Sequence, residues 1–235
     1  MNGRPHEAQT LDGSSDFLRI FGMIESITDP AFIWLSDAPS MTRYDQALAA
    51  IDAANARDPN LVGADGHGRP AELVYGEHMT AMLARLYPDA SEVLRLAVRA
   101  QHLRRWEVPR VSYPMDRAGY HRWRNDLKRK HAGWAGEILR GVGYDEVEVT
   151  RVAALIRKED LKKDSEAQAL EDTACLVFLE HYAAVFAAKH DEAKMLGILR
   201  KTWVKMSAHA QQAAFALTLP DPVKALIDSA LKSQA

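Results

Sequence analysis

The chain has 235 residues, 26% of them charged and 47% hydrophobic, enough for one ordinary globular core or a core with an appendage. Lys+Arg total 30 against 32 Asp+Glu, and the resulting charge of -2 excludes a global electrostatic case for nucleic acid or an anionic membrane as partner. The single cysteine, Cys175, excludes an intramolecular disulfide, and no apolar run approaches the roughly 18 residues of a membrane span, so a soluble, cytoplasmic protein is expected.

Residues 1–40 carry scattered aromatics, turn residues and weak periodicity. They read as a weakly ordered N-terminal extension or a misassigned start, with Met41 as the boundary of a single helical domain over 41–235. From Thr42 to Asn55 apolar residues recur at Tyr44, Ala47, Leu48 and Ile51, which is helical spacing, before DPNLVGADGHGRP breaks the pattern. A second helix over 72–86 aligns Tyr75, Met79, Met82, Leu83 and Leu86, and His78 falls on the same stripe. Asp89 with Glu92 resembles a capping pair for a third helix, whose stripe of Leu94, Ala97 and Val98 extends to His102.

After the interruption between Pro109 and Pro114, Asp116 caps a long helix to Arg140 that places His131 beside Leu127, Trp134, Ala135 and Ile138. Gly141 and Gly143 stop that helix, and Asp145 with Glu148 starts a shorter one. A strong helix is expected over 164–190, carrying Asp172 among Ala169, Cys175, Leu176 and Leu179, then helices around 195–203, after Ser207 and after Asp221. No strand alternation is visible, so the fold class is all-α: a compact multi-helix bundle.

His78, His102, His131 and Asp172 thus occupy core-facing positions on four different helices. A polar group buried without a partner costs roughly 2–7 kcal/mol depending on the reference state, so the four together ask for a shared partner. Three imidazoles and one carboxylate suit a divalent transition metal, iron, manganese, zinc or nickel alike. Each alone is more simply a core side chain bonded to a backbone group.

The segments EHMTAML, RLAVRAQHL, HAGWAGEIL and LEDTACLVFLE resemble, in order, the histidine and aspartate helices of the HD superfamily of metal-dependent phosphohydrolases. The likeness covers about residues 42–190. A closer resemblance, through HLRRWEVPR, YPMDRAGYHRWR and FLEHY, is to the helical domain of unknown function 4202 family. The broader resemblance implies an HD-domain-like bundle in which His78, His102 and Asp172 hold a metal and His131 binds a second metal or the substrate. It departs at Leu103, where the superfamily has the aspartate of its His-Asp doublet. Glu107 either substitutes as a catalytic carboxylate, if the chain turns at Val108–Pro109, or pairs with a neighbouring arginine.

A metal there would lower the pKa of bound water and polarise a phosphoryl oxygen, so hydrolysis of a nucleotide or another phosphorylated small molecule is expected, with Glu107 and His131 as catalytic residues. Between Arg104 and Lys130 nine cations stand against Glu107, Asp116 and Asp126, with aromatics interleaved. Arg105, Arg110, Arg117, Tyr120 and Arg124 are the expected substrate contacts, because arginine forks grip phosphate bidentately. Lys128–Lys130 read instead as a solvated helix face. Two alternatives stay open: a non-catalytic nucleotide-binding sensor with a degenerate HD-type site, suggested by Leu103, and an RNA-binding helical module, which the near-neutral charge disfavours. KMSAH (205–209) is only a near-match to a synthetase signature loop, and Ser207 reads as a helix cap.

Overall fold

The computed structural model describes residues 41–63, 68–161 and 163–232. The expectations for residues 1–40 and for the centre of the VGADGHG loop lie outside the described residues. Helix α1 (Arg43–Asn55) opens with a reciprocal box, in which the Thr42 hydroxyl accepts from the Asp45 N–H and the Asp45 carboxylate accepts from the Thr42 N–H. Two short strands follow, β1 (Leu61–Val62) and β2 (Arg69–Pro70), paired antiparallel. Two-residue strands are too short to show an alternating pattern, so periodicity does not reveal them.

Helix α2 (Ala71–Leu86) has Pro70 at its N-cap, and the missing cap is supplied from the preceding loop, where Asp58 accepts from the Glu72 N–H at 3.0 Å. Helix α3 (Glu92–Arg99) is capped by Ser91, whose hydroxyl accepts from the Leu94 N–H. The expected cap at Asp89 is therefore corrected by two positions. The helix also stops short of His102. A turn follows in which Arg104 adopts a left-handed conformation (φ 53) and donates its N–H to Asn55 Oδ1, and then two 3₁₀ turns occupy Arg105–Glu107 and Arg110–Ser112.

Helix α4 (Arg117–Val142) begins as expected on Asp116, which accepts from the Gly119 N–H at 2.6 Å. A Cβ at Gly119 would lie 2.1 Å from the Pro114 carbonyl oxygen, so only glycine lets the entering chain fold back over the first turn. Gly143, at φ 93, ends α4 in the left-handed region, and Asp145 with Glu148 boxes the start of α5 (Glu146–Arg157).

The helix expected as one piece over 164–190 is three. α6 (Ser165–Val177) is followed by a π turn at Phe178–Tyr182 and by α7 (Ala183–Ala187). The wider turn inserts an extra residue into the helical phase, burying Leu179 while leaving His181 exposed. α8 (Glu192–Lys205), α9 (Ala208–Phe215, capped by Ser207) and α10 (Asp221–Lys232) complete the described chain.

Residues 41–232 form an all-α bundle in which α2 packs on α3 and α6, α4 and α3 on α5, and α8 on α10. Ile51, Met79, Leu83, Leu96, Leu103, Leu139, Leu155, Ile156, Leu170 and Leu176 make one continuous core through these contacts. Each such side chain contributes roughly 1.5–3 kcal/mol by leaving water. Among the described residues no helix is long and apolar enough to cross a membrane.

Candidate functional site

The turn after α3 sends consecutive side chains in opposite directions. Leu103 is 0% exposed and joins the core, while its carbonyl accepts a 2.7 Å hydrogen bond from Nδ1 of the buried His131. That bond fixes the His131 proton on Nδ1 and leaves Nε2 as an acceptor. His102, on the other side, stacks on Tyr75 with ring centroids 4.0 Å apart and places Nδ1 3.2 Å from Glu72 Oε2. The His102 and His131 rings lie 6.0 Å apart. The position where the resemblance would put an aspartate is thus a core position, unsuited to a carboxylate.

Glu72 sits in the first turn of α2, where an acid is expected for the helix dipole. Here it also faces inward, with 16% of its side chain exposed, and Arg105 lies 3.4 Å away. Burial pushes its carboxyl up to about 7, with Asp58 adding repulsion and Arg105 opposing. His102 retains 28% side-chain exposure, yet burial first, and then Arg105, Lys158 and Arg124, holds it well below the usual histidine range. His102 is thus closely surrounded by protein and still reached by solvent. His131 falls to about 3, through burial and the neighbouring His102. Both imidazoles are therefore neutral at pH 7, and Glu72 exchanges its proton there.

A second carboxylate, Glu171 of α6, is buried between Lys158 and Lys205, the latter at 3.3 Å. Burial alone would raise its carboxyl, but the two ammonium groups outweigh it and hold Glu171 at about 2. Lys158 closes α5 at φ 58, a strained conformation for a non-glycine residue, kept while its side chain is committed to Glu171. Lys128 of α4 is half-buried and its ammonium is lowered by burial, then by Lys158 and Arg124. Arg124, Lys128 and His131 share one face of α4 by their spacing. Neither Arg124 nor Lys128 has a carboxylate within ion-pair distance among the described residues.

The expected ligand set is not assembled. Asp172 is 0% exposed, and its two oxygens accept from Tyr87 Oη (2.6 Å), Gln168 Nε2 (2.8 Å), the Ser207 N–H (2.8 Å) and Ser207 Oγ (2.5 Å). It locks the α8–α9 junction to α2 and α6. His78 stacks on His181 at 3.7 Å, with Nδ1 buried and unpartnered. Among the described residues no three His, Cys, Asp or Glu side chains are placed to hold one metal ion. The residues present therefore do not fit the metal centre that the HD resemblance implies.

The other expectations divide. Glu107 is exposed and paired with Arg104 at 2.6 Å, so it is the partner of a neighbouring arginine and not a carboxylate of the site. Arg110 donates to the carbonyls of Tyr113 and Asp116 and braces the loop before α4. Arg117 is exposed on the first turn of α4. Arg105 lies over Trp123 and beside Glu72, while Tyr120, largely exposed, accepts from Arg124 at 3.3 Å. Arg105 and Arg124 thus stand near His102, and Tyr120 stands beside Arg124.

The residues missed were Glu72, Lys128, Lys158, Glu171 and Lys205. Glu72 lies one turn before Tyr75 on the inward stripe, a signal masked by its ordinary place at a helix start. Glu171 adjoins Asp172, and helical spacing aligns only Asp172 with the apolar stripe of Ala169, Cys175, Leu176 and Leu179.

The fold and site define an all-α bundle with a cation-rich cluster of polar side chains drawn from α2, α4, α5 and α6. The chain belongs to the family described as Domain of unknown function (DUF4202), whose model matches residues 45–227. No curated protein and no solved structure matches it.

Proposed function

We propose that the chain binds a phosphorylated small molecule, with nucleotides in that class, at the charged cluster around Glu72, His102, Arg124 and Lys128. The observation that carries this reading is the pair of α4 cations, Arg124 and Lys128, left without carboxylate partners beside a site that already holds Arg105, Lys158 and Lys205. A half-buried ammonium surrounded by other cations is costly in the empty protein, and an anionic ligand removes the cost. Guanidinium and ammonium together suit phosphate, one as a fork and the other as a point charge.

This reading keeps the sensor alternative and drops the metal-centred step. The ordered histidine segments are consistent with a scaffold of HD type whose doublet position has become a core leucine. Hydrolysis of the ligand is a second reading, and one observation favours it: Glu72, poised to accept a proton near pH 7 beside a neutral His102, has the properties of a general base for water. No step of that reading requires a metal.

The test is calorimetric titration of the full chain with a nucleotide panel, with and without chelator, followed by measurement of released phosphate. Binding that persists in chelator and weakens about tenfold in Arg124→Gln is expected. Binding abolished by chelator and restored by a transition metal would overturn the metal-independent reading, and no binding by any panel member would overturn the site. Phosphate release that disappears in Glu72→Gln would promote the hydrolase reading. A low-salt mobility shift with RNA in place of nucleotide binding would transfer the same cations to the RNA alternative.

A further inference from the structure

We infer that the ligand carries two linked phosphoryl groups, a diphosphate rather than a single phosphate; this rests on reading the charged cluster as a phosphate site and specifies what that site selects. Among the described residues the five cations that meet there are Arg105, Arg124, Lys128, Lys158 and Lys205. Two carboxylates, Glu72 and Glu171, face them. With both carboxylates ionised three positive charges are left over, and between three and four near pH 7, where Glu72 is about half protonated. A phosphate monoester carries about −1.5 to −2 at pH 7 and leaves the cluster positive, whereas two linked phosphoryl groups bring about −3 and close the balance.

The placement of the cations agrees with the count. Arg105 is committed to Glu72 and Lys158 to Glu171, so the available groups are Arg124, Lys128 and the half-exposed Lys205. Arg124 and Lys128 stand one helical turn apart, about 5–6 Å between Cβ atoms, a spacing at which one linked ligand engages both. Lys128 interacts electrostatically with both Arg124 and Lys205, so one linked ligand can address all three. Glu171 shows that the Lys158–Lys205 end already accommodates a buried anionic oxygen pair. A phosphoryl group against Lys128 and Lys205 and a second against Arg124 would use every uncompensated cation.

The experiment titrates the full chain with inorganic phosphate and with inorganic pyrophosphate at neutral pH and matched ionic strength, for wild type, Lys128→Met and Arg124→Gln. Pyrophosphate is expected to bind wild type at least about tenfold more tightly than phosphate, and the ratio is expected to collapse toward unity in Lys128→Met. Arg124 is exposed, so Arg124→Gln gives the same reading if Lys128→Met fails to fold, as checked by thermal melting. Equal affinities for the two anions in wild type, or an undiminished ratio in both variants, would overturn the diphosphate inference while leaving the phosphate site standing. If neither anion binds, the site reading falls with it.

Discussion

Glu171 and Asp172 are consecutive residues of one helix, both buried, and they illustrate two opposite uses of a buried carboxylate. Asp172 is surrounded by neutral donors, a phenol, an amide, a backbone N–H and a hydroxyl, each within hydrogen-bond distance. Glu171, about 100° further round the helix, faces ammonium groups that outnumber it. The first environment is saturated and has nothing left to offer a ligand. The second, extended through Lys128 and Arg124 to Glu72 and His102, is unbalanced in charge. Burial alone does not separate a structural acid from a functional one; the state of its partners does.

The sharpest break of that comparison is Asp172→Ala. Removing the acceptor strands Tyr87, Gln168 and the Ser207 backbone in a dry interior, and a loss of about 3–5 kcal/mol in urea unfolding is expected. Metal content should not follow the stability. A variant that stayed folded but lost a stoichiometric metal would return Asp172 to the ligand role the sequence suggested.

The sequence carried the helices because their signals are local. Apolar spacing, and the helix-start signals at Asp116, Asp145, Ser207 and Asp221, are contained within a turn or two of chain. It identified His131 and Asp172 as buried for the same reason. It did not reveal who their partners are, because Leu103, Tyr87 and Ser207 come from distant segments, and a hydrogen bond to a backbone carbonyl leaves no trace in composition. His102 was misplaced because the end of α3 depends on Asn55 holding the Arg104 turn, a contact across the fold. Lys128 looked like one of three consecutive surface charges until α5 and α6 packed against it with Lys158 and Glu171.

The second prediction concerns pH. Glu72 keeps its proton to about 7 in the folded chain against 4.5 normally, so between those values the folded state holds the extra proton and Glu72 favours folding more as pH falls. His102 and His131 act oppositely. Their folded values lie below the usual 6.5, so their contribution is complete above 6.5 and is lost as pH falls below it. Between pH 5 and 6 the histidines oppose the carboxyl, and wild type should lose stability as pH falls. Glu72→Gln removes the opposing member, so its acid loss should be steeper than that of wild type by about 1.4 kcal/mol per pH unit. Unfolding curves across that range measure both slopes, and identical slopes would show that Glu72 is not buried against His102.

Arg124→Gln comes next in size. It should weaken phosphate-ligand binding about tenfold, about 1.4 kcal/mol, and shift stability by less than about 0.5 kcal/mol, because the exposed guanidinium gives up only its contact with Tyr120. Stability and binding separate here, whereas at Asp172 only stability should move.

The smallest effect is expected at Glu107, the third kind of acid in the molecule, exposed and paired only with its neighbour. The Arg104–Glu107 pair spans three residues on the surface and contributes about 0.2–0.5 kcal/mol. Without Glu107, Arg104 still lies over Trp134 at 4.7 Å and still donates its N–H to Asn55, so the turn that presents His102 keeps its anchors. Glu107→Gln should therefore leave ligand affinity and melting temperature nearly unchanged. A loss of binding or turnover in this variant, with stability intact, would place a catalytic carboxylate at Glu107 after all and shift the site toward the 3₁₀ turn, away from the Glu72–His102 pair.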